Sequence, residues 1–386
     1  KASGMTYFQA ATMFAQAYNA KTPLSQIKNI PYWQNLFPNA PAGFYASGGG
    51  LSFGCAPGAA SFTGTPTATQ AMYDMYSCNI GNETSALFNA DVQCAPACST
   101  LGQYGYFDSQ FSSLYAQATI GNSSYNAAQF MLRRQSGALQ FQFNYTLSRS
   151  EDAGSNPERI NEFTTFGYSS QIINSWDPKQ LYAPSDFDTR HQINANFVYQ
   201  LPFGRGRRWL NQNAIVDNLV GGWQLSGLGH WTSGFPFTIA PGLGFWPTNW
   251  QLTSSAILNG TKPQTGSYNL VNDNCPQGCP NVFKDPVSAL AQFRFAYPGE
   301  SGQRNNVRGP GTFDVDTGVS KSWRLYREQT LALAVEAFNV TNSVRFDVGS
   351  LQNVGNNTLV NNTQFGNFTS TSSKPRVLQF SLRYSF

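Results

Sequence analysis

From Leu139 to Ser148 the chain reads Leu-Gln-Phe-Gln-Phe-Asn-Tyr-Thr-Leu-Ser, with a large apolar residue at every odd position and a small polar one at every even position. Strict period two marks a strand, because successive side chains leave opposite faces of the pleat. One face carries Leu139, Phe141, Phe143, Tyr145 and Leu147; the other carries Gln140, Gln142, Asn144, Thr146 and Ser148 and holds no charge. In a water-soluble sandwich the outer face would carry Lys, Glu or Arg. In an outer-membrane barrel the apolar face meets lipid and an amide and hydroxyl face meets a wet lumen, over about ten residues. The segment therefore reads as barrel wall, its odd residues toward lipid and Gln140, Gln142 and Asn144 toward the lumen.

Only 11% of the 386 residues are charged, against about 25% in an average globular domain. Mean hydropathy is nevertheless negative, at -0.33, so Asn, Gln, Ser and Thr supply the polarity. No run approaches the roughly 18 consecutive apolar residues of a membrane helix, which leaves strands as the only way across a bilayer. The 24 basic and 20 acidic residues are scattered, and nothing in their pattern points to nucleic acid. The chain opens at Lys1 without a signal-peptide pattern, and the expectation is a piece of a longer polypeptide.

Residues 1–122 show no sustained alternation. Tyr7, Ala11, Phe14 and Tyr18 recur at helical spacing and predict a short helix near residues 4–18. A second helix is expected to start at Thr65 as N-cap, with Pro66 at its first position and Ala68, Met72 and Met75 on one face. The apolar residues here do not make enough repeated faces for a packed helical domain, so the segment is expected to be a loop region with short helices.

Alternation returns at Ser124 to Arg134, which Gln135-Ser136-Gly137 joins to the next strand as a hairpin. Further wall strands are expected at Ile193 to Leu201, Trp223 to Trp231, Phe313 to Ser322, Leu331 to Ala337 and Leu378 to Phe386, with a short helix between Asn213 and Leu219. The last strand sets Phe380, Leu382, Tyr384 and Phe386 toward lipid and Arg383 toward the lumen; Glu336 is lumenal on the strand before it. The fold class is all-β: an antiparallel transmembrane β-barrel portion of about eight strands, with residues 123–386 as wall and long extracellular loops containing short helices. Connection lengths agree with it. Counting back from a periplasmic C-terminus, residues 341–374, 241–310, 149–188 and 1–122 fall outside and the shorter 324–328, 202–220 and 135–137 fall inside, as such barrels require.

All six cysteines fall in the outside segments: Cys55, Cys78, Cys94, Cys98, Cys275 and Cys279. Connectivity is not fixed by sequence, but the local pairs Cys94 with Cys98 and Cys275 with Cys279 leave Cys55 with Cys78. A metal site from the two C-x-x-x-C pairs fits zinc spacing poorly, and an oxidising compartment favours disulfides.

Several motifs resemble the C-terminal barrel of TonB-dependent outer-membrane receptors, specifically the Oar-like branch. They are Ser185-Asp186-Phe187-Asp188-Thr189-Arg190-His191, Leu201-Pro202-Phe203-Gly204-Arg205-Gly206-Arg207-Arg208, Gly221-Gly222-Trp223-Gln224-Leu225-Ser226-Gly227 and Ser233-Gly234-Phe235-Pro236-Phe237-Thr238. Arg308-Gly309-Pro310-Gly311, Glu336 through Asn342 and the ending Gln379 to Phe386 belong to the same set. The resemblance covers about residues 123–386. It implies an outer membrane of a Gram-negative-type bacterium, with loops facing the cell exterior and a barrel of about 22 strands. It also implies a plug and further strands, supplied by a missing N-terminal portion or a companion chain, contact with the TonB complex through that portion, and delivery to the barrel-assembly machinery by the C-terminal strand.

Other chemistry is weak. His191 and His230, the only histidines, lie on different strands without a G-x-S-x-G nucleophile and read as structural or lumen-lining. Asp314-Val315-Asp316-Thr317-Gly318 starts like a calcium loop, but Leu325 stands where the bidentate Glu is needed. Arg205, Arg207 and Arg208 read as a solvated periplasmic turn near lipid headgroups. The expected function is ligand capture and transport by a receptor, without enzyme activity or cofactor; the alternative is a structural or adhesive surface protein anchored by the barrel.

Overall fold

The computed structural model describes residues 3–45, 54–79, 83–94, 97–111, 119–155, 174, 176–204, 206–210, 214–239, 255–272, 275–352 and 365–386. Its main sheet is an antiparallel meander of β1 (Ser123–Ser136), β2 (Leu139–Asp152), β3 (His191–Gln200), β4 (Gln224–Thr232), β5 (Thr312–Arg324), β6 (Thr330–Phe338) and β7 (Val377–Ser385). A two-residue strand, Ala183–Pro184, adds to the end of β2 and makes it eight-stranded. Each wall strand pairs with its neighbour in sequence. Among the described residues the sheet stays open: β1 pairs only with β2 and β7 only with β6.

Register makes one face apolar from edge to edge, because directly opposed residues of an antiparallel pair lie on the same side. Leu132 faces Phe143, Phe141 faces Phe197, Tyr199 faces Leu225, Val319 faces Val335, and Val335 faces Phe380. Gln142 with Asn196 and Glu336 with Gln379 share the other face. The alternation seen within one strand thus continues across seven, which no single segment could reveal.

Both ends of the apolar face carry aromatic rings. At one end Phe130, Tyr145, His191 and Trp231 follow one another across β1 to β4, with neighbouring centroids 6.1, 6.2 and 6.4 Å apart. At the other, Trp223 and Trp323 meet edge to face at 6.2 Å and Tyr384 lies 5.9 Å from Phe386. Trp223 and Trp231 are eight residues apart, about 27 Å along the strand and about 21 Å across a bilayer at a tilt near 40°, close to the ~25 Å band of a membrane barrel.

Long connections leave one end of the wall and short ones the other. The short ones are Gly137–Ala138, the segment from Leu201 to Trp223, and Leu325–Gln329. The long connections hold more structure than the sequence suggested. Thr265–Asn272 and Cys275–Phe283 pair as a hairpin, joined by Asn367–Phe368 and Leu351–Gln352. Cys275 and Cys279 belong to that hairpin and so lie on a strand within an outside segment that the sequence read as loop. Pro276, Gly278 and Pro280 hid the alternation there, and register shifts break it on the partner strand. Phe237, Ile239, Val282, Phe283, Phe293 and Phe365 form a separate small core under these connections.

The N-terminal segment folds as α1 (Tyr7–Asn19), α2 (Pro31–Leu36), α3 (Ala40–Tyr45), α4 (Ala68–Cys78) and α5 (Glu83–Phe88). They pack on a core in which Phe14, Trp33, Phe37, Met72 and Tyr73 are all buried. The sequence showed too few repeated faces for this, because α2, α3 and α5 are only six residues long and part of the core comes from outside the five helices, at Leu24, Ile30 and Phe37. Burial, with the nearby Glu83 carboxylate second, pushes the Tyr7 hydroxyl well above its ordinary value. Helix α4 is capped by Thr67, not Thr65. Thr67-Ala68-Thr69-Gln70 makes a reciprocal capping box, the Thr67 hydroxyl accepting from the Gln70 amide and the Gln70 side chain from that of Thr67. Thr67→Ala is expected to cost about 1 kcal/mol, read as a lowered thermal midpoint of the helical signal with the sheet signal unchanged. Cys55–Cys78 and Cys94–Cys98 are disulfides, which removes those four from any metal site. Cys279 is disulfide-bonded as well; the Cys275 side chain, and with it the expected Cys275–Cys279 bridge, lies outside the described residues.

Candidate functional site: the rim where three motifs meet

The end of the wall that carries the long connections is built by residues far apart in sequence. After β2, the Ala183–Pro184 strand folds back on it and delivers Ser185 to Asp188. After β4, Pro236–Phe237 pairs with Val307–Arg308, which leads into β5. Three of the quoted motifs, around Asp186, Gly234 and Arg308, therefore converge. At Gly234 a Cβ would collide with the Gly309 carbonyl, so the two chains touch there only because that residue is glycine.

Arginines lock the junction. Arg308 pairs through Nη2 with Asp188, and its Nη1 donates to the Asp188 carbonyl at 2.9 Å and the Gly234 carbonyl at 3.2 Å. The Asp188 carboxylate also accepts the Ser150 amide at 2.6 Å. Arg304 pairs with Asp152 and, at 3.0 Å, with Asp186, and Asn305 donates to Asp186 at 2.6 Å and to the Pro184 carbonyl at 2.8 Å. Below them Arg345 pairs with Asp314 on the polar face at 3.0 Å. Charge-assisted hydrogen bonds are stronger and more geometrically specific than neutral ones, and these hold the three segments in register.

Between these loops lies a cleft of about 430 Å³, with the rings of Phe235, Phe237 and Phe346 and the polar groups of Asp186, Asn305 and Asp347 in its lining. Ligand pockets commonly run from roughly 300 to 1,000 Å³, largely apolar with a few placed polar groups. Thr312 also lines the cleft, and its hydroxyl meets that of Thr232 at 2.7 Å at the end of the polar face. The cleft thus sits at the mouth of that face. Its lining offers contact surface and orienting oxygens.

The residues singled out in the sequence fall as follows. Leu139, Phe141, Phe143, Tyr145, Leu147, Phe380, Leu382 and Tyr384 share the apolar face, with Phe386 just beyond β7. Gln140, Gln142, Asn144, Glu336 and Arg383 share the polar one. His230 lies on the polar face with its Nδ1 2.6 Å from the Asn194 Oδ1. His191 does not line a lumen: it lies on the apolar face in the aromatic row, 2.8 Å from the Tyr145 hydroxyl, because it opposes Leu147. Asp314 and Asp316 sit on β5 as wall residues. Sequence reasoning missed Arg304 and Asp152, whose pairing spans 152 residues and leaves no local pattern. It also passed over Lys321, an odd residue of β5, whose charge on the apolar side was legible from alternation alone.

Residues 69–379, well over half of the chain, match the family described as outer membrane beta barrel domain. The match starts inside α4, so the family's span takes in part of the helical segment. No curated protein matches the chain.

Proposed function

We propose, for a chain that belongs to the outer membrane beta barrel domain family, that it is part of the wall of a TonB-dependent receptor of the Oar-like type, taking a ligand at the cell surface into a plugged lumen. The observation that carries this reading is the odd number of wall strands. In an antiparallel meander of seven, β1 and β7 run in the same direction. Self-closure would need a parallel seam, whereas single-chain outer-membrane barrels close with even strand numbers. Edges left open to lipid would expose N–H and C=O groups at several kcal/mol each. Further strands, from an N-terminal portion or a companion chain, complete the barrel, and the same portion supplies the plug and the contact with the TonB complex.

The polar face supports a wide lumen. Narrow barrels fill their interior with side chains, yet across this face small residues meet, Ser320 opposite Ala334 and Ala334 opposite Ser381, and longer ones such as His230, Asp314, Asp316, Glu336 and Arg383 are polar or charged, as a wet lumen accepts. The apolar face meets lipid, the long connections face the exterior, and the rim cleft is the first ligand contact. Catalysis has no part in it. The packed helical segment favours a second reading, an adhesive surface protein.

Cysteine pairs test the closure in cells. Gln129→Cys with Ser381→Cys, on the polar faces of β1 and β7, is expected to give no internal disulfide, whereas Gln142→Cys with Asn196→Cys, directly opposed on β2 and β3, links. A β1–β7 link would refute the transporter wall. Binding to a surface that persists unchanged without the TonB complex would favour adhesion.

A further inference from the structure

The connection from Leu201 to Trp223 does not hang below the wall. Its helix α6 (Ala214–Val220) is folded back over the apolar face and fastened there by three side chains. Lys321 Nζ donates to the Asn218 carbonyl at 2.6 Å and to that of Asp217 at 3.4 Å. Trp323 Nε1 donates to the Asn218 carbonyl at 2.8 Å, and Trp223 Nε1 to that of Leu219 at 2.9 Å. Lys321 opposes Leu333 and Trp323 opposes Leu331, both on the apolar face.

Lys321 is 5% exposed although it points away from the polar face of the wall. The returning helix and the rings of Trp223 and Trp323 lie against it. Its ammonium lies 5.1 Å from the Trp323 ring and 5.8 Å from that of Trp223 and meets the carbonyl end of the helix, where a cation is favoured. The connection is compact as well: Phe203 bridges Trp209, and Gly204 packs against Asp217 and Gly221 so closely that a Cβ would collide. Among the described residues its exposed side chains are three large apolar ones beside Arg207, Arg208 and Asn218. Leu219 is 67%, Leu210 54% and Trp209 50% exposed, with Arg208 stacked on Trp209 at 5.2 Å.

We infer that this connection is an in-plane lipid anchor, its Trp209, Leu210 and Leu219 seated at the boundary between headgroups and acyl chains and Arg208 directed to phospholipid phosphates. The occupant is the bilayer leaflet that meets the short-connection end of the wall. Three features select it. The anchor is continuous with the apolar face; it sits at the Trp223–Trp323 aromatic row, where a membrane band ends; and apolar residues beside a cation are the composition of interfacial segments. The inference rests on the barrel reading above, since it needs the apolar face to meet lipid.

Nitroxide labels on the reconstituted full-length, oxidised protein test it, comparing collision with oxygen, which partitions into lipid, against collision with an aqueous nickel chelate. Leu219→Cys is the probe, Val335→Cys the apolar-face reference and Ala334→Cys the polar-face reference. A label at Leu219 is expected to favour oxygen as the Val335 label does, by several-fold over Ala334. If the Val335 label favours oxygen while the Leu219 label is as open to the nickel chelate as Ala334, the anchor is refuted and the barrel stands. If the Val335 label itself reads as aqueous, the barrel reading falls first and the anchor with it.

Discussion

Arg308→Ala is expected to destabilise the rim by about 4 kcal/mol, because it strips a partner from a buried carboxylate. The side chain of Asp188 is 1% exposed and pairs with Arg308, while the same guanidinium ties the Asp188 and Gly234 carbonyls together. Removing Arg308 leaves that charge with the Ser150 amide and frees the connection between β4 and β5 from the one after β2. Arg308→Lys keeps the charge but cannot hold both carbonyls and the carboxylate in one plane, so it is expected to fall between wild type and alanine. Adding Asp188→Asn to Arg308→Ala should recover part of the loss by removing the unpaired charge. The measurement is the urea midpoint in detergent or bilayer, together with protease sensitivity of the long connections. Equal midpoints for wild type and Arg308→Ala would show that the junction is held by its backbone pairing alone.

The second large effect separates the two faces of one strand. Val335 and Ala334 are neighbours at the centre of β6, the first opposing Val319 and Phe380, the second Ser320 and Ser381. Val335→Lys places an ammonium among apolar side chains near mid-bilayer, at about 2–4 kcal/mol for a charge on the lipid face. Ala334→Lys enters a row of small polar residues and is expected to cost less than about 1 kcal/mol, as for ordinary surface changes. Folding yield into lipid vesicles and the unfolding midpoint both read the difference. Similar costs at the two positions would mean that the faces meet similar surroundings, which is incompatible with lipid on one side and water on the other.

These predictions draw unequally on sequence and structure. The Val335 and Ala334 contrast was legible before any fold was known, because period two is a property of the extended backbone and survives whatever the strand pairs with. The same holds for the apolar set from Leu139 to Leu147 and for the split of long and short connections. The helix beginning near Tyr7 was legible for the same reason, its 3.6-residue period being local. The start of α4 was misplaced by two residues although Thr67 and Gln70 carry the capping box in plain sight; Pro66 drew the helix start toward itself.

The rim, the packed helical segment and the anchor were decided by tertiary structure. Arg304 meets Asp152, and Arg308 meets Asp188 across 120 residues, and no periodicity encodes a contact at that separation. The hairpin from Thr265 to Phe283 escaped because Pro and Gly interrupt its pattern, and its stability comes from the shared burial of Val282, Phe283 and Phe365. Lys321 is the sharpest case. Its sequence position puts a charge on the apolar face, and only the return of α6 over the wall gives that charge its carbonyls. Alternation along a strand fixes which way each side chain points. What it points at depends on chain brought in from elsewhere, and that depends on packing energies no local pattern records.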